Sequence, residues 1–345
     1  MARDPELASY LDGPFPNDLG DVVGTRLILA TRLAEEVSRR VATPDHLSWR
    51  DEVIANPDAA PLTVRIYLDE TSPSPQGALL FFHGGAFVFG GLDSEHDRCL
   101  QLAKGSGCVV VSVDYRLAPE NPFPAAVEDA MCALRWLFEC AAPLGIDPAR
   151  IGVGGASAGG SLAALVAIQA RDSGSPPVRA QLLIYPVTDD RANNGSMVQF
   201  EHSEPWDGER TRMMWSLYLG NGSAQVLRDA SPAWARDVTG LPVTYILVAE
   251  EDPLRDQALD FARRLLDAGV SVDLRLFAGT YHGFDVVAPN SRLAQQALKE
   301  QHDFVRRELG DGRSKWGAKD AERKVGCSGC LVGEPMGAER PKPPV

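Results

Sequence analysis

The chain of 345 residues lacks several features that would direct it to a membrane or to a nucleic acid. It has no apolar run near the roughly 20 residues that span a bilayer, and its charged N-terminus lacks the apolar segment of a secretory signal. Positive charge is also scarce: 34 Lys and Arg stand against 47 Asp and Glu, for a formal net charge of −13. Because nucleic acids and anionic membrane surfaces are bound through concentrated basic faces, we expect neither as a partner.

Cysteine is sparse too, with six in the chain. Cys108 lies in a predicted buried strand, and Cys132 and Cys140 lie in a predicted helix, which is typical of reduced thiols packed as small apolar groups. Cys327 and Cys330 form a lone C-x-x-C in residues 311–345, which are rich in Gly, Pro and charge and are predicted to be a disordered tail. A structural metal needs four ligands and the chain shows no second pair, so we predict no metal, and we expect no cofactor. The reduced cysteines and the lack of a secretory signal predict a cytoplasmic protein.

What the chain does have is a regular alternation of short apolar runs and helical patterns. The run at 78–82 is entirely apolar, as expected of a strand buried on both faces of a parallel sheet. This alternation predicts an α/β fold: a mostly parallel, doubly wound sheet flanked by helices, in one catalytic domain over about 61–310. The remaining predicted strands are 62–68, 108–113, 181–186, 243–249 and 272–277, and the predicted helices include 94–104, 125–140, 255–268 and 291–309.

Two stretches do not follow this alternation. Residues 1–60 hold a helical pattern at 22–41 ahead of the first predicted strand, and residues 187–240 form a polar and aromatic excursion between two strands. Long insertions at strand ends tend to be functional. We therefore predict that both stretches belong to a helical cap on the main domain.

One short motif suggests the chemistry. Gly155, Ser157 and Gly159 follow an apolar strand and precede a helix-forming run, in the spacing G-x-S-x-G. A serine in a tight turn with positive φ brings its neighbouring backbone so close that the flanking positions cannot carry a Cβ. The motif predicts an exposed nucleophilic hydroxyl, although a glycine-rich turn with a capping serine would read the same way.

A serine nucleophile needs a base, and the chain has only six histidines. His282 follows the last predicted strand, at the edge of the sheet where the serine also lies, and it is the best candidate. The others have simpler interpretations: His302 as a surface residue of the last helix, His96 at a helix start, His46 and His202 in the cap segments, and His83 in a glycine motif.

The base in turn needs a carboxylate to orient it. Asp252 comes directly after the strand 243–249 and precedes a proline, which favours a turn. Glu250, Glu251 and Asp256 are rivals, and a helix-capping role is the alternative for Asp252.

Donors for a developing oxyanion follow from the same geometry. One N–H is expected from Ala158, the residue after the nucleophile, and others from the loop after the strand 78–82, where Gly84 and Gly85 allow close backbone approach. The loss of one such donor typically costs about 3 kcal/mol in the barrier.

Together these motifs resemble the hormone-sensitive-lipase-like α/β-hydrolases, the bacterial family IV esterases. The resemblance implies that Ser157 is the nucleophile, His282 the general base and acid, and Asp252 its orienting partner, with Gly84, Gly85 and Ala158 as the oxyanion hole. The matching segments, which include the chain order of these three side chains, are 83–86, 114–120, 121–126, 155–160, 252–256 and 281–284.

The resemblance implies a carboxylesterase that hydrolyses small esters with short- to medium-chain acyl groups through an acyl-enzyme. An amidase, a formamidase or an acyltransferase on the same fold stays an alternative, and so does a non-catalytic, receptor-like relative. No stable membrane association is expected. Some relatives dimerise through the last strand and helix, so a homodimer also stays open.

The chain departs from the family at two positions. Ala86 stands where a third glycine is usual, which we expect to trim the acyl pocket. Ala156 stands where Asp or Thr is usual, so a side-chain hydrogen bond that would stabilise the serine turn is missing. Predicted pocket walls, for which plain packing is the alternative, are Phe87, Val88, Trp206, Met214 and Trp215.

Overall fold

The fold is organised by a single sheet of eight strands in the order β1-β2-β4-β3-β5-β6-β7-β8. The computed structural model describes residues 3–11, 15–39, 43–57, 59–222 and 228–310. From β4 through β8 the neighbouring strands run parallel, whereas β1 and β2 join antiparallel at one end. The strands are β1 (Leu47–Ile54), β2 (Leu62–Asp69), β3 (Gln76–Phe82), β4 (Val109–Val113), β5 (Ile146–Ala156), β6 (Ala180–Ile184), β7 (Val243–Glu251) and β8 (Val272–Tyr281).

Helices cover both faces of the sheet, because alternate strand residues point to opposite sides. In β3, Leu80 and Phe82 join one buried apolar cluster, while Leu79 and Phe81 join another. The mostly parallel, doubly wound fold is therefore confirmed. The helices are α1 (Pro5–Ala8), α2 (Val22–Arg39), α3 (His96–Ser106), α4 (Ala125–Glu139), α5 (Ala158–Asp172), α6 (Gly195–Gln199), α7 (Gly208–Leu219), α8 (Arg255–Asp267), α9 (Phe284–Val287) and α10 (Arg292–Leu309), with 3-10 turns at Ser9–Leu11, Arg228–Ala230 and Pro232–Trp234.

The first strand was not predicted. We placed residues 1–60 wholly before the sheet, but Leu47–Ile54 pairs along its full length with β2. The charged residues 50–52 do not match the apolar pattern by which the other strands were predicted. An edge strand can carry such residues, because it pairs through its backbone on one side and can leave its side chains in solvent. Only Leu47 and Ile54 at its two ends are buried.

The N-terminal segment packs on the loops at one edge of the sheet and on the 187–240 insertion. Arg26 of α2 donates to the carbonyl oxygen of Val88 at 2.8 Å and pairs with Glu120. Asn17 donates to the carbonyl oxygen of Pro205 in the insertion. Side-chain hydrogen bonds to backbone oxygens thus join α2 to the loop after β3, and the segment before it to the insertion.

The first described residues also contact the ends of β7 and β8. The Asp4 N–H donates to the Gly279 carbonyl oxygen at 3.0 Å, and Arg3 Nε donates to Glu251 at 2.9 Å. Within the described ranges, no helix is long and apolar enough to cross a bilayer. The predicted tail 311–345, with Cys327 and Cys330, lies outside the described residues, as do the last two positions of the helix predicted at 22–41.

Candidate active site

Three side chains that the sequence singled out each stand one position past a strand end. Ser157 follows β5, Asp252 follows β7 and His282 follows β8. The strands β5, β6, β7 and β8 follow one another in the sheet and run parallel. Their carboxyl ends therefore lie at the same edge of the sheet. Topology alone therefore brings residues that are 125 and 30 positions apart into contact.

The three side chains form a continuous hydrogen-bonded chain. His282 Nδ1 lies 2.7 Å from Asp252 Oδ2, and His282 Nε2 lies 3.0 Å from Ser157 Oγ. Asp252 is 1% exposed, and its other oxygen accepts the Leu254 N–H at 2.8 Å, so both carboxylate oxygens are held. An imidazole protonated on Nδ1 can then accept the serine proton on Nε2. Ser157 is 9% exposed.

The serine turn has the strained geometry that the motif predicts. Ser157 has φ 55°, in the left-handed region that side chains seldom adopt. A Cβ on Gly155 would lie 2.3 Å from the Gly159 carbonyl oxygen, and a Cβ on Gly159 would lie 2.0 Å from that of Phe82. Both glycines are therefore required by contact with backbone atoms.

The loop after β3 approaches the serine closely. A Cβ on Gly84 would lie 3.7 Å from the Ser157 Cβ, and Gly85 has φ 118°. Ala86 and Phe87 follow at φ 57° and 60°, so the position where the family usually has a third glycine is left-handed and occupied by alanine. Ala158 is the first residue of α5, whose initial N–H groups have no partner within the helix. Backbone donors from two elements thus lie near Ser157.

The buried side chain of His83 stabilises the loop after β3. Its ring is fully buried, stacks on Tyr115 with centroids 4.1 Å apart, and donates from Nδ1 to the Gly84 carbonyl oxygen at 2.7 Å. Burial lowers the pKa of His83 to about 4, so the ring is neutral at pH 7. Its Nδ1 is engaged by Gly84, and the ring nitrogen that meets Ser157 Oγ is that of His282.

The rivals of Asp252 and His282 are engaged elsewhere. His302 is half-buried with a pKa lowered to about 4 by burial, and Gly105 packs on its ring, so the prediction of a surface position was wrong. The other carboxylates hold backbone or side-chain donors: Glu250 accepts from the Gly279 N–H, Glu251 from Arg3, and Asp256 from the Ser196 N–H.

One of the predicted pocket walls, Trp206, lies beside the hydrogen-bonded chain. Its half-buried ring has its centroid 6.2 Å from that of His282. Phe87 stacks on Tyr218 with centroids 3.8 Å apart, next to Trp215. Val88 and Met214 are fully buried in the apolar cluster that also holds these rings. Their role as pocket walls stays a prediction.

Sequence reasoning missed the residues behind this site. Tyr185 makes an edge-to-face contact with His282, with ring centroids 4.8 Å apart. Its hydroxyl forms hydrogen bonds with Arg98 and Asp285. The sequence offered one weak signal, an acidic residue three positions after His282. Across the described ranges, no group of three His, Cys, Asp or Glu side chains is arranged to hold a metal ion.

The family of the chain follows from comparison with known proteins. The model of a family with the alpha/beta hydrolase fold matches residues 79–286, more than half of the chain. The chain belongs to this family of α/β-hydrolases, and the resemblance to hormone-sensitive-lipase-like esterases is confirmed.

Relatives with assigned names point the same way. Esterase LipI of Mycobacterium tuberculosis is 38% identical over 291 residues, covering 82% of this chain and 88% of its own. Ethyl acetate hydrolase of Pseudomonas putida is 35% identical over 297 residues, covering 82% and 92%. Among solved structures, a bacterial heroin esterase superimposes with a TM-score of 0.85 at 37% identity, covering 89% of this chain and 98% of its own.

Proposed function

We propose that the protein is a serine carboxylesterase that hydrolyses small esters with short- to medium-chain acyl groups. The observation that carries this proposal is the hydrogen-bonded chain from Asp252 through His282 to Ser157, at 2.7 and 3.0 Å. A serine hydroxyl is a weak nucleophile alone, and an adjacent oriented base is what activates it.

The reaction proceeds in two halves. Ser157 Oγ attacks the ester carbonyl carbon while His282 Nε2 takes its proton, and His282 then gives that proton to the departing alcohol oxygen as the ester C–O bond breaks. Water attacks the acyl-enzyme, His282 takes a water proton and returns it to Oγ, and the carboxylic acid leaves. Asp252 keeps the imidazole in the required tautomer and stabilises its charged form.

The developing negative charge on the carbonyl oxygen is met by backbone N–H groups. We assign these donors to Gly84, Gly85 and Ala158. The close approach of Gly84 to Ser157 and the position of Ala158 at the start of α5 support this assignment. The reaction needs no metal and no cofactor.

A cap limits the size of the substrate in this proposal. We assign it to α2 with the segment before it and to the 187–240 insertion, which contact each other and place Trp206 beside His282. A small ester is also what the name of the Pseudomonas putida relative specifies, ethyl acetate.

The test is hydrolysis of p-nitrophenyl butyrate by the purified protein and by Ser157→Ala. We expect kcat to fall by roughly 10⁴-fold or more, because no other side chain supplies the nucleophile. The matched control is Ser161→Ala, which removes another buried hydroxyl in α5 one turn away and should leave the rate unchanged. Retained turnover in Ser157→Ala would overturn the proposal.

Two further measurements define the reaction. A fluorophosphonate probe should label the unchanged protein and not Ser157→Ala; a non-catalytic binding protein would not be labelled. Rates for p-nitrophenyl acetate, butyrate and palmitate, and for p-nitrobutyranilide, should favour the two short esters. Faster cleavage of the anilide than of the butyrate ester would indicate an amidase instead.

A further inference from the structure

Tyr185 contacts both the turn that carries Ser157 and the ring of His282. The Ser157 N–H donates to the Ile184 carbonyl oxygen at 2.9 Å, and the Val187 N–H donates to the Ser157 carbonyl oxygen at 3.1 Å. These two bonds fix the backbone on either side of Tyr185 to the serine turn. The ring of Tyr185 then meets the His282 ring edge-on, at 4.8 Å between centroids and 63° between planes.

The backbone of Tyr185 is itself strained. Its φ is 36°, in a region that residues with side chains rarely adopt, and the residue is 3% exposed. Strained conformations persist only where the surroundings over-determine them, and they cluster at functional sites. The contacts that hold Tyr185 in this conformation therefore bear on the function of the site.

The hydroxyl of Tyr185 is held by two charged side chains. It accepts a hydrogen bond from Arg98 Nη2 at 3.2 Å and donates one to Asp285 Oδ1 at 2.8 Å. Arg98 also donates to Asp285 Oδ2 at 2.8 Å and to Glu95 at 2.7 Å. We call Glu95, Arg98, Tyr185 and Asp285 the Arg98 cluster.

The Arg98 cluster joins elements that carry the proposed active site. Arg98 lies in α3, Tyr185 lies just past β6, and Asp285 lies in α9, three residues after His282. The second carboxylate oxygen of Glu95 lies near Gly84, since a Cβ there would be 3.6 Å away. One guanidinium thus fixes the serine turn and the histidine loop relative to each other.

Stability alone is a weak reason for such a cluster. The side chains of Arg98 and Asp285 are 7% and 3% exposed, and burying ions costs desolvation energy that their attraction often only offsets. Burial alone would raise the pKa of Asp285, but the Arg98 guanidinium holds it below its usual value. Burial also raises the pKa of the Tyr185 hydroxyl. Tyr185 therefore remains a donor to a charged carboxylate around neutral pH.

Ala156 is the residue before the proposed nucleophile. Ala156 has no polar side chain, so it cannot stabilise the serine turn through a hydrogen bond. Support from the β6 side, through Ile184 and Val187, is what the described contacts provide in its place.

We propose that Tyr185, anchored by Arg98 and Asp285, is a positioning residue that sets the spacing and orientation of His282 relative to Ser157. The inference rests on the proposed function, because it concerns how the two side chains are aligned for ester hydrolysis. It identifies a role outside the three residues of the hydrogen-bonded chain.

The first variant is Tyr185→Phe, which keeps the ring against His282 and removes only the anchoring hydroxyl. We expect kcat for p-nitrophenyl butyrate to fall about 10-fold or more, since small misplacements of reacting groups cost that much. KM should change less than about 2-fold, and labelling by the fluorophosphonate should slow in parallel with kcat. A loss of packing alone would not slow both while sparing KM.

The matched control is Tyr245→Phe. Tyr245 is also buried and loses the same hydroxyl, but it lies near the start of β7 and packs on Phe304. A second control, Asp129→Asn, removes the charge of a buried carboxylate on α4 that pairs with Arg116. Both variants should keep kcat within about 2-fold at a temperature well below unfolding, whatever their stability.

The second variant is Asp285→Asn, measured alone and with Tyr185→Phe, which keeps the test decisive if Tyr185→Phe does not fold. If both residues act through one arrangement, the double variant should lose little more activity than the worse single variant. A folded Tyr185→Phe or Asp285→Asn with kcat within 2-fold of the unchanged protein would overturn the proposal. So would an equal loss in the control variants. If Ser157→Ala keeps activity, by contrast, it is the proposed function that fails.

Discussion

Two regions around the proposed active site are held together in different ways. The turn after β5 and the loop after β3 are determined by backbone contacts so close that a single added atom is excluded, as at Gly155 and Gly159. The covering segments, α2 with the residues before it and the 187–240 insertion, are joined by side-chain hydrogen bonds such as those of Asn17 and Arg26. Glycines at such backbone contacts therefore tolerate almost no change, whereas side chains of the covering segments can change without displacing backbone atoms.

The largest effect is expected at the carboxylate of the sheet edge. Asp252→Asn should lower kcat by about 10⁴-fold, because the amide no longer holds the imidazole in the tautomer that accepts the serine proton. Asp256→Asn is the matched control, four positions on in α8, and should stay close to the unchanged protein. Steady-state kinetics with p-nitrophenyl butyrate measure both. A similar loss in the two variants would contradict the assignment of Asp252.

The backbone contacts are tested next by Gly159→Ala. The new Cβ would lie 2.0 Å from the Phe82 carbonyl oxygen, so β3 and the serine turn must separate, at a cost of about 3 kcal/mol or more in the free energy of unfolding. Gly91→Ala is the control, because its Cβ has ordinary contacts with Asp114 at 3.4 Å. Urea unfolding gives both values. Equal stability of the two variants would refute the steric argument.

Acid should weaken the loop that His83 supports. Because burial lowers the folded-state pKa of His83 to about 4, the unfolded chain binds a proton below pH 6.5 that the folded chain does not. The free energy of unfolding should thus fall as pH drops from 6.5 to 4, by at most about 3 kcal/mol for this fully buried ring. His302 has the same shift and adds to the fall.

Urea unfolding at pH 7.5 and pH 4.5 measures this loss. His302→Gln should reduce the difference between the two pH values, and His202→Gln, which removes an exposed ring, should not. A pH-independent free energy of unfolding over this range would show that both buried rings can be protonated without cost.

The covering region is tested by Trp206→Ala. Removing the ring beside His282 should raise KM for p-nitrophenyl butyrate about 10-fold with a smaller change in kcat, as expected for lost aromatic contact. Trp234→Ala removes an exposed ring of the same insertion and should leave KM unchanged. An unchanged KM in Trp206→Ala would remove Trp206 from the pocket.

The smallest effect is expected at Ala86. Ala86→Gly relieves a left-handed φ of 57° but makes the unfolded chain more flexible, so the free energy of unfolding should change by about 1 kcal/mol or less. The rate of ester hydrolysis should stay within a few-fold of the unchanged protein. A large gain in stability would mean that the strain at this position is greater than its φ suggests.

Sequence reasoning succeeded where local chemistry and topology agree. Buried parallel strands are apolar throughout, so 78–82 and 243–249 were predicted within a few residues of β3 and β7. It failed at β1, whose charged residues face solvent, and at His302, because burial depends on what packs against a helix. The Arg98 cluster was missed because its members come from three distant parts of the chain, at 95–98, 185 and 285, and form no motif.

By itself the sequence determined the α/β alternation, the strained serine turn and the order of Ser157, Asp252 and His282. These follow from rules that act over a few residues: the size of a Cβ, the period of a strand and the end of each parallel strand. Only the tertiary structure decided which carboxylate faces His282 and what lies behind it at Tyr185. Those contacts depend on distances between elements far apart in the chain, and local pattern carries no measure of them.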